Sequence, residues 1–294
     1  MLRVDAISKR YGDKPALDQV SFTVRPGRMT GFVGGNGAGK TTTMRIILGV
    51  LGADSGTVTL DGTPLSPADR RRFGYMPEER GLYPKMGVTE HLVYLARLHG
   101  WSEPAATRHA EQLLEDLDLT RHATDAIETL SLGNQQRAQI AAALVHQPEV
   151  LILDEPFSGL DPIAVERVQR VLHAHAEGGL PVLFSSHQLD IVERLCDDLV
   201  IIAAGSIRAE GERETLRDRY AGDRWELVVE DASWVAGWLG ERGELHEDDP
   251  GRVVVEAPEP VLRHLLSAAS DRGAVQSWQR LRPHLAEIFK EVVA

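Results

Sequence analysis

Nine consecutive residues, Gly34-Gly35-Asn36-Gly37-Ala38-Gly39-Lys40-Thr41-Thr42, contain four glycines and end in a lysine and two threonines. An apolar run, Met29-Thr30-Gly31-Phe32-Val33, precedes them, and a stretch of helical pattern follows. Gly34, Gly39, Lys40 and Thr41 meet the spacing G-x-x-x-x-G-K-[ST]. These residue types together hold phosphate. Glycines let the backbone curl so that successive N–H groups point inward at phosphate oxygens, and a helix starting near Lys40 adds its positive end. Lys40 neutralises the terminal phosphates, and the Thr41 hydroxyl suits a magnesium ion. Only five of the 32 basic residues are lysines. A compact ammonium at position 40, in a chain that otherwise uses arginine, fits a site needing a point charge.

A second group follows the apolar run Val150-Leu151-Ile152-Leu153. Asp154 then stands at the C-terminal end of a buried strand, where doubly wound sheets place ligands. Its carboxylate suits magnesium, directly or through water, and Glu155 suits a general base for an attacking water. An ordinary strand end with a helix-capping acid is the alternative for the pair taken alone. Beside the glycine loop, the pair reads as part of a nucleoside triphosphatase.

The elements that must position these residues alternate. From Leu2 to about Ala209, short β-like runs are separated by helix-like ones, which points to a largely parallel sheet. A helical block interrupts it, beginning near Thr89, divided at Gly100 and closing with the helix after Ser131. Asp161 and Pro162 read as N-cap and first residue of a further helix. From about Tyr220 the texture changes. Strand, helix, a hairpin around Asp249-Pro250-Gly251, helix, strand and a last helix give the order βαββαβ plus one helix, the split ferredoxin-like unit. Trp225, Trp234, Trp238 and Trp278 are expected in its small core.

The chain has 294 residues, 43% hydrophobic and 26% charged, with a net charge of −12. That balance argues against direct nucleic-acid binding, which needs a basic surface, and against attraction to anionic lipid. No apolar run approaches the ~20 residues that span a bilayer, and the first residues lack the pattern of a signal peptide. One cysteine, Cys196, leaves no internal disulfide and reads as an inert core thiol.

Leu130-Ser131-Leu132-Gly133-Asn134-Gln135-Gln136-Arg137 resembles the signature of the ATP-binding cassette family, usually Leu-Ser-Gly-Gly-Gln-Gln-Gln-Arg. The resemblance covers residues 1 to about 210. It implies that Tyr11 stacks on adenine and that Gly34 to Thr42 cradle the phosphates. Ser131, Gly133 and Asn134 would bind the ATP held by the other subunit. Ser158-Gly159-Leu160-Asp161 would be the dimer-contact loop after the catalytic acid, and His187 the histidine that touches the γ-phosphate. Departures are Gly35 for a frequent proline, Leu132 for glycine, Asn134 for glutamine, and Glu78 for the glutamine that touches magnesium and the attacking water. Glu78 either reaches the metal, with Thr41 and Asp154, or points to solvent. The block Pro77-Glu78-Glu79-Arg80-Gly81-Leu82-Tyr83-Pro84 resembles exporter subunits of the sodium-efflux and antibiotic-resistance types.

The fold implied is α/β: a P-loop NTPase cassette over residues 1–219, with an inserted helical subdomain at about 82–147. A small α+β ferredoxin-like domain occupies 220–294. The function implied is that of an ATPase subunit of a transporter, in the export direction, using ATP and Mg2+, with Glu155 and His187 catalytic. It would work as a homodimer or cassette heterodimer on a separate membrane permease, cytoplasmic and peripheral at the inner face of the membrane. Residues about 82–128 would carry the docking surface. The alternatives are a cassette ATPase acting on DNA or ribosomes, or a regulatory ATPase with a sensing tail.

Overall fold

The structure, a computed structural model, describes residues 1–79, 81–273 and 275–293. The chain divides into two compact units, Met1–Arg213 and Glu214–Val292. The second begins a few residues before the change of texture at Tyr220.

In the first unit the strands are β1 (Leu2–Tyr11), β2 (Lys14–Val24), β3 (Met29–Val33), β4 (Ser55–Leu60), β5 (Thr63–Pro64), β6 (Phe73–Met76), β7 (Val150–Leu153), β8 (Val182–Ser186), β9 (Asp198–Ala203) and β10 (Ser206–Glu212). The helices are α1 (Lys40–Ile47), α2 (Pro67–Arg70), α3 (Val88–Leu98), α4 (Glu103–Asp116), α5 (Leu132–Leu144), α6 (Pro162–Glu177) and α7 (Leu189–Leu195). Six strands form one sheet in the order β10-β9-β3-β8-β7-β6. All its pairings are parallel except that of the edge strand β10 with β9. Every residue of β3, β7, β8 and β9 is buried, as expected of strands covered on both faces. The largely parallel sheet expected from the alternation is thus present, but it excludes the first two strands. These pair with β4 and β5 in a separate antiparallel sheet, order β2-β1-β4-β5. The β4–β5 turn falls at Asp61-Gly62, both with positive φ, +50° and +80°, as a two-residue hairpin turn demands.

The helical block is the α3–α4 pair with α5. Gly100 (φ +88°) ends α3's turn, and α3 and α4 both contact α5, with Leu92 and Ala96 of α3 and Ala110 and Leu113 of α4 buried. α5 is buried almost all round, including the polar residues Gln136, Arg137 and Gln139. It lies against β6 so closely that a Cβ on Gly74 would stand 2.2 Å from the Ala143 carbonyl oxygen. α7 packs on β3 in the same way, with a Cβ on Gly31 placed 2.6 Å from Val192 Cγ1.

The second unit contains α8 (Arg213–Arg219), β11 (Arg224–Val229), α9 (Val235–Leu239), β12 (Glu244–Asp249), β13 (Arg252–Glu256), α10 (Glu259–Arg272), β14 (Val275–Arg280) and α11 (Leu285–Val293). Its sheet is antiparallel throughout, order β12-β13-β11-β14, the ferredoxin-like arrangement expected from the order of elements. Leu227, Val229, Val253, Val255, Leu262 and Leu265 form the core. The four tryptophans line its margin, partly buried, with Trp225 and Trp278 stacked at 4.9 Å.

Candidate nucleotide site

The glycine loop joins β3 to α1 at the C-terminal edge of the parallel sheet. Gly34 and Gly39 are there for space and conformation. A Cβ on Gly34 would lie 2.5 Å from the Ile202 carbonyl oxygen, and Gly39 adopts φ +114°. The Lys40 side chain folds back along the loop, and its Nζ donates to the carbonyls of Gly34 (2.6 Å) and Gly35 (3.4 Å). Lys40 is only 8% exposed.

The second group arrives from β7. Asp154 is buried, and Thr41 Oγ1 donates to its Oδ2 at 3.0 Å. Its Oδ1 accepts from Ser185 Oγ on β8 at 2.5 Å, and Ser185 Oγ in turn accepts the Glu155 backbone N–H at 2.9 Å. Glu155 has φ +53°, in the left-handed region unfavourable for a side chain of its kind. Gln136 Nε2 steadies this turn by donating to the Glu155 and Pro156 carbonyls at 2.9 and 3.1 Å. The Glu155 carboxylate, nearly buried, lies 3.0 Å from Nδ1 of the half-exposed His187.

Gly35 to Thr42, Glu78, Asp154, Glu155 and His187 all line one cleft of about 430 Å3, with Ala16 on its rim. Glu78 faces the cleft and is exposed. Its loop is fastened from below by Gln139 Nε2, which donates to the Pro77 and Glu79 carbonyls at 2.8 and 3.3 Å. Just behind, burial, with Asp154 nearby, raises the Tyr75 phenol above its ordinary value. Thr41 Oγ1 and Asp154 Oδ2, hard oxygen donors converging at a cleft, match what Mg2+ selects.

The remaining expected residues lie elsewhere on this chain. Tyr11 ends β1, 55% exposed, outside the cleft lining. Ser131 caps α5 by accepting the Asn134 N–H at 3.3 Å. A Cβ on Gly133 would touch the Gly159 oxygen at 3.5 Å, so the start of α5 abuts the Ser158–Asp161 loop. Asp161 caps α6 by accepting the Ala164 N–H at 2.8 Å. Asn134, expected to contact nucleotide, is buried. Its amide meets His122 Nε2 at 3.0 Å and accepts from Arg137 Nη2 at 2.5 Å, so the side chain is turned into its own subdomain. Ser185, Gln136 and Gln139 were not singled out in the sequence. Gln136 stood within the signature stretch, and the Ser185-Ser186 pair ahead of His187 closed an apolar strand; Gln139 carried no local signal.

A parallel sheet with a phosphate-binding loop at its C-terminal edge and a carboxylate pair on a neighbouring strand defines a nucleotide-binding α/β protein. Residues 17–158 match the ABC transporter family, and residues 211–293 match the family described as ATP-binding protein DrrA1-3-like, C-terminal domain. The uncharacterized ABC transporter ATP-binding protein YhaQ of Bacillus subtilis (strain 168) is 36% identical, over 100% of this chain and 98% of that one. The linearmycin resistance ATP-binding protein LnrL of the same organism is 37% identical, over 76% and 73%. The Nod factor export ATP-binding protein I of Burkholderia orbicola (strain AU 1054) is 38% identical, over 74% and 72%. A solved ATP-binding subunit of an ABC transporter superposes with TM-score 0.69 at 34% identity, over 75% of this chain and 93% of that one. The chain belongs to the ABC transporter ATP-binding proteins. As such it binds and hydrolyses ATP.

Proposed function

We propose that this chain drives export through a separate membrane permease, two cassettes closing around two ATP molecules. The convergence of Lys40, Thr41, Asp154, Glu155 and His187 on one cleft carries the reading. Its export-type relatives, linearmycin resistance and Nod factor export, support the direction. No helix among the described residues is long and apolar enough to cross a membrane, which fits a membrane partner encoded on another chain.

In this reading the loop amides and Lys40 hold the β- and γ-phosphates, the ammonium exchanging its bonds to Gly34 and Gly35 for phosphate oxygens. Thr41, Asp154 and Glu78 would hold Mg2+, which when bound neutralises charge on the transferring phosphoryl. Glu155 takes a proton from the attacking water, its carboxylate aimed by Ser185 and Gln136 through the backbone. His187, 3.0 Å from Glu155, stabilises the charge that develops on the γ-phosphate. Tyr11 stacks on adenine. Ser131 and Gly133 of a second copy, together with its Ser158–Asp161 loop, complete the site. Asn134 acts through the fold of that segment.

Glu155→Gln tests this. The variant should bind ATP with near-normal affinity, hydrolyse it slower by roughly 10²–10⁴-fold, and elute as a dimer with ATP. Turnover near the wild-type rate would assign the base elsewhere, with Glu78 the first candidate. Affinity capture from membranes tests the export arm: a polytopic partner supports it, and ribosomes or DNA in its place would overturn it.

A further inference from the structure

The second unit is acidic as a whole, but one broad hollow in it gathers cations. A cleft of about 1070 Å3 opens on the sheet face opposite the tryptophan-lined core. Arg224 and His246 come from the sheet, and Val254 and Leu281 supply apolar surface. Arg219, at the end of α8, and Lys290, on α11, also line it, as does Arg282 between β14 and α11.

Most of the charges are already committed. The Glu256 carboxylate accepts from Arg224 at 2.8 Å and meets His246 at 2.9 Å; these bonds hold it below the usual carboxylate range. Arg282 bonds Glu214 at 2.9 Å and Asp218 at 2.8 Å. Arg219 and Lys290 differ: both are exposed, and neither has an ion pair within 4 Å among the described residues. Glu287 and Glu291 share the lining, so the cleft selects ligands whose charge outweighs two neighbouring carboxylates. Unpaired cations in a concave, partly apolar site concentrate the field that draws small anions. The acidic remainder of the unit disfavours a nucleic acid or an anionic membrane surface.

We propose that this cleft binds a small, multiply charged organic anion, carboxylate or phosphate, with Arg219 and Lys290 as its principal contacts. The inference is independent of the phosphate-loop reading. The test is titration calorimetry on the full chain saturated with Mg-ADP, using tricarballylate and, separately, methylenediphosphonate. One or both should bind one-to-one, more weakly as salt rises. Affinity should fall about tenfold or more in Arg219→Ser/Lys290→Ser, persist in the charge-conserving Arg219→Lys/Lys290→Arg, and be untouched by Lys40→Ala. Binding of tricarballylate alone assigns a carboxylate ligand, and binding of the diphosphonate alone assigns a phosphate. Absence of binding by both probes, equal affinity in the serine variant, or loss in Lys40→Ala would each overturn the proposal. ATP hydrolysis in the serine variant should equal wild type, which separates this outcome from any failure of the nucleotide site.

Discussion

Lys40 is the residue on which nucleotide affinity turns. Its ammonium is nearly buried and, among the described residues, donates to the carbonyls of its own loop. A phosphate in the cleft would therefore meet a cation already desolvated and positioned. Truncating one member of such a buried charged pair costs about 2–5 kcal/mol. Lys40→Ala should weaken ATP binding by a factor on the order of 10²–10³, measured with a fluorescent ATP analogue; affinity within threefold of wild type would remove the lysine from the site. Glu78 adds a third carboxylate to the cleft beside Asp154 and Glu155. If it reaches the metal, Glu78→Gln should raise the Mg2+ concentration needed for half-maximal ATP binding, with ATP-free folding unchanged. An unaltered Mg2+ requirement would mean that Glu78 faces water.

At the scale of elements, the close approach of α5 to β6 sets what the helical block tolerates. Gly74→Ala would drive a methyl into the Ala143 carbonyl, an overpacking worth about 1–3 kcal/mol, seen as a lower urea midpoint. The same contact region stacks His99 on His146 with ring centroids 3.9 Å apart. Burial and the neighbouring His99 push the His146 imidazole down to about 4, against about 6.5 in the unfolded chain. Between those values the unfolded state binds the extra proton, so stability rises with pH over that window. It should fall as pH drops from about 6.5 towards 4, by at most roughly 3 kcal/mol from this group, and level off below. His146→Gln should flatten that part of the profile in urea titrations.

These contacts also mark how far the sequence could be read. Gly34, Gly39, Lys40 and the Asp154-Glu155 pair were legible because their chemistry depends on spacing within a few residues. The hairpin at Asp249-Pro250-Gly251 and the Gly100 break were legible for the same reason. Ser185 and Gln136 were not, because a serine or glutamine gains its role only when the fold brings it to Glu155. Alternation revealed strands without saying which sheet each joins, so the separate β2-β1-β4-β5 sheet was missed. α7, seven residues long, offers too few turns for a helical period to stand out. Asn134 resembled a nucleotide contact by position, and its burial toward His122 and Arg137 is a tertiary fact.

At the scale of the whole molecule, two units with separate cores should not melt as one. Mg-ATP at a hundred times its Kd should stabilise the first unit by about 2.7 kcal/mol, moving one calorimetric transition and leaving the other. Leu227→Ala, in the second core and fully buried, should lower the transition that nucleotide leaves in place, by about 2–5 kcal/mol. A single transition shifted by both changes would show that the units fold together.

The backbone of Glu155 has a last implication. Left-handed conformations cost a residue with a side chain roughly 1–2 kcal/mol relative to glycine, so here the architecture would prefer no side chain where water activation wants a carboxylate. Glu155→Gly should be the tougher protein and the inert one.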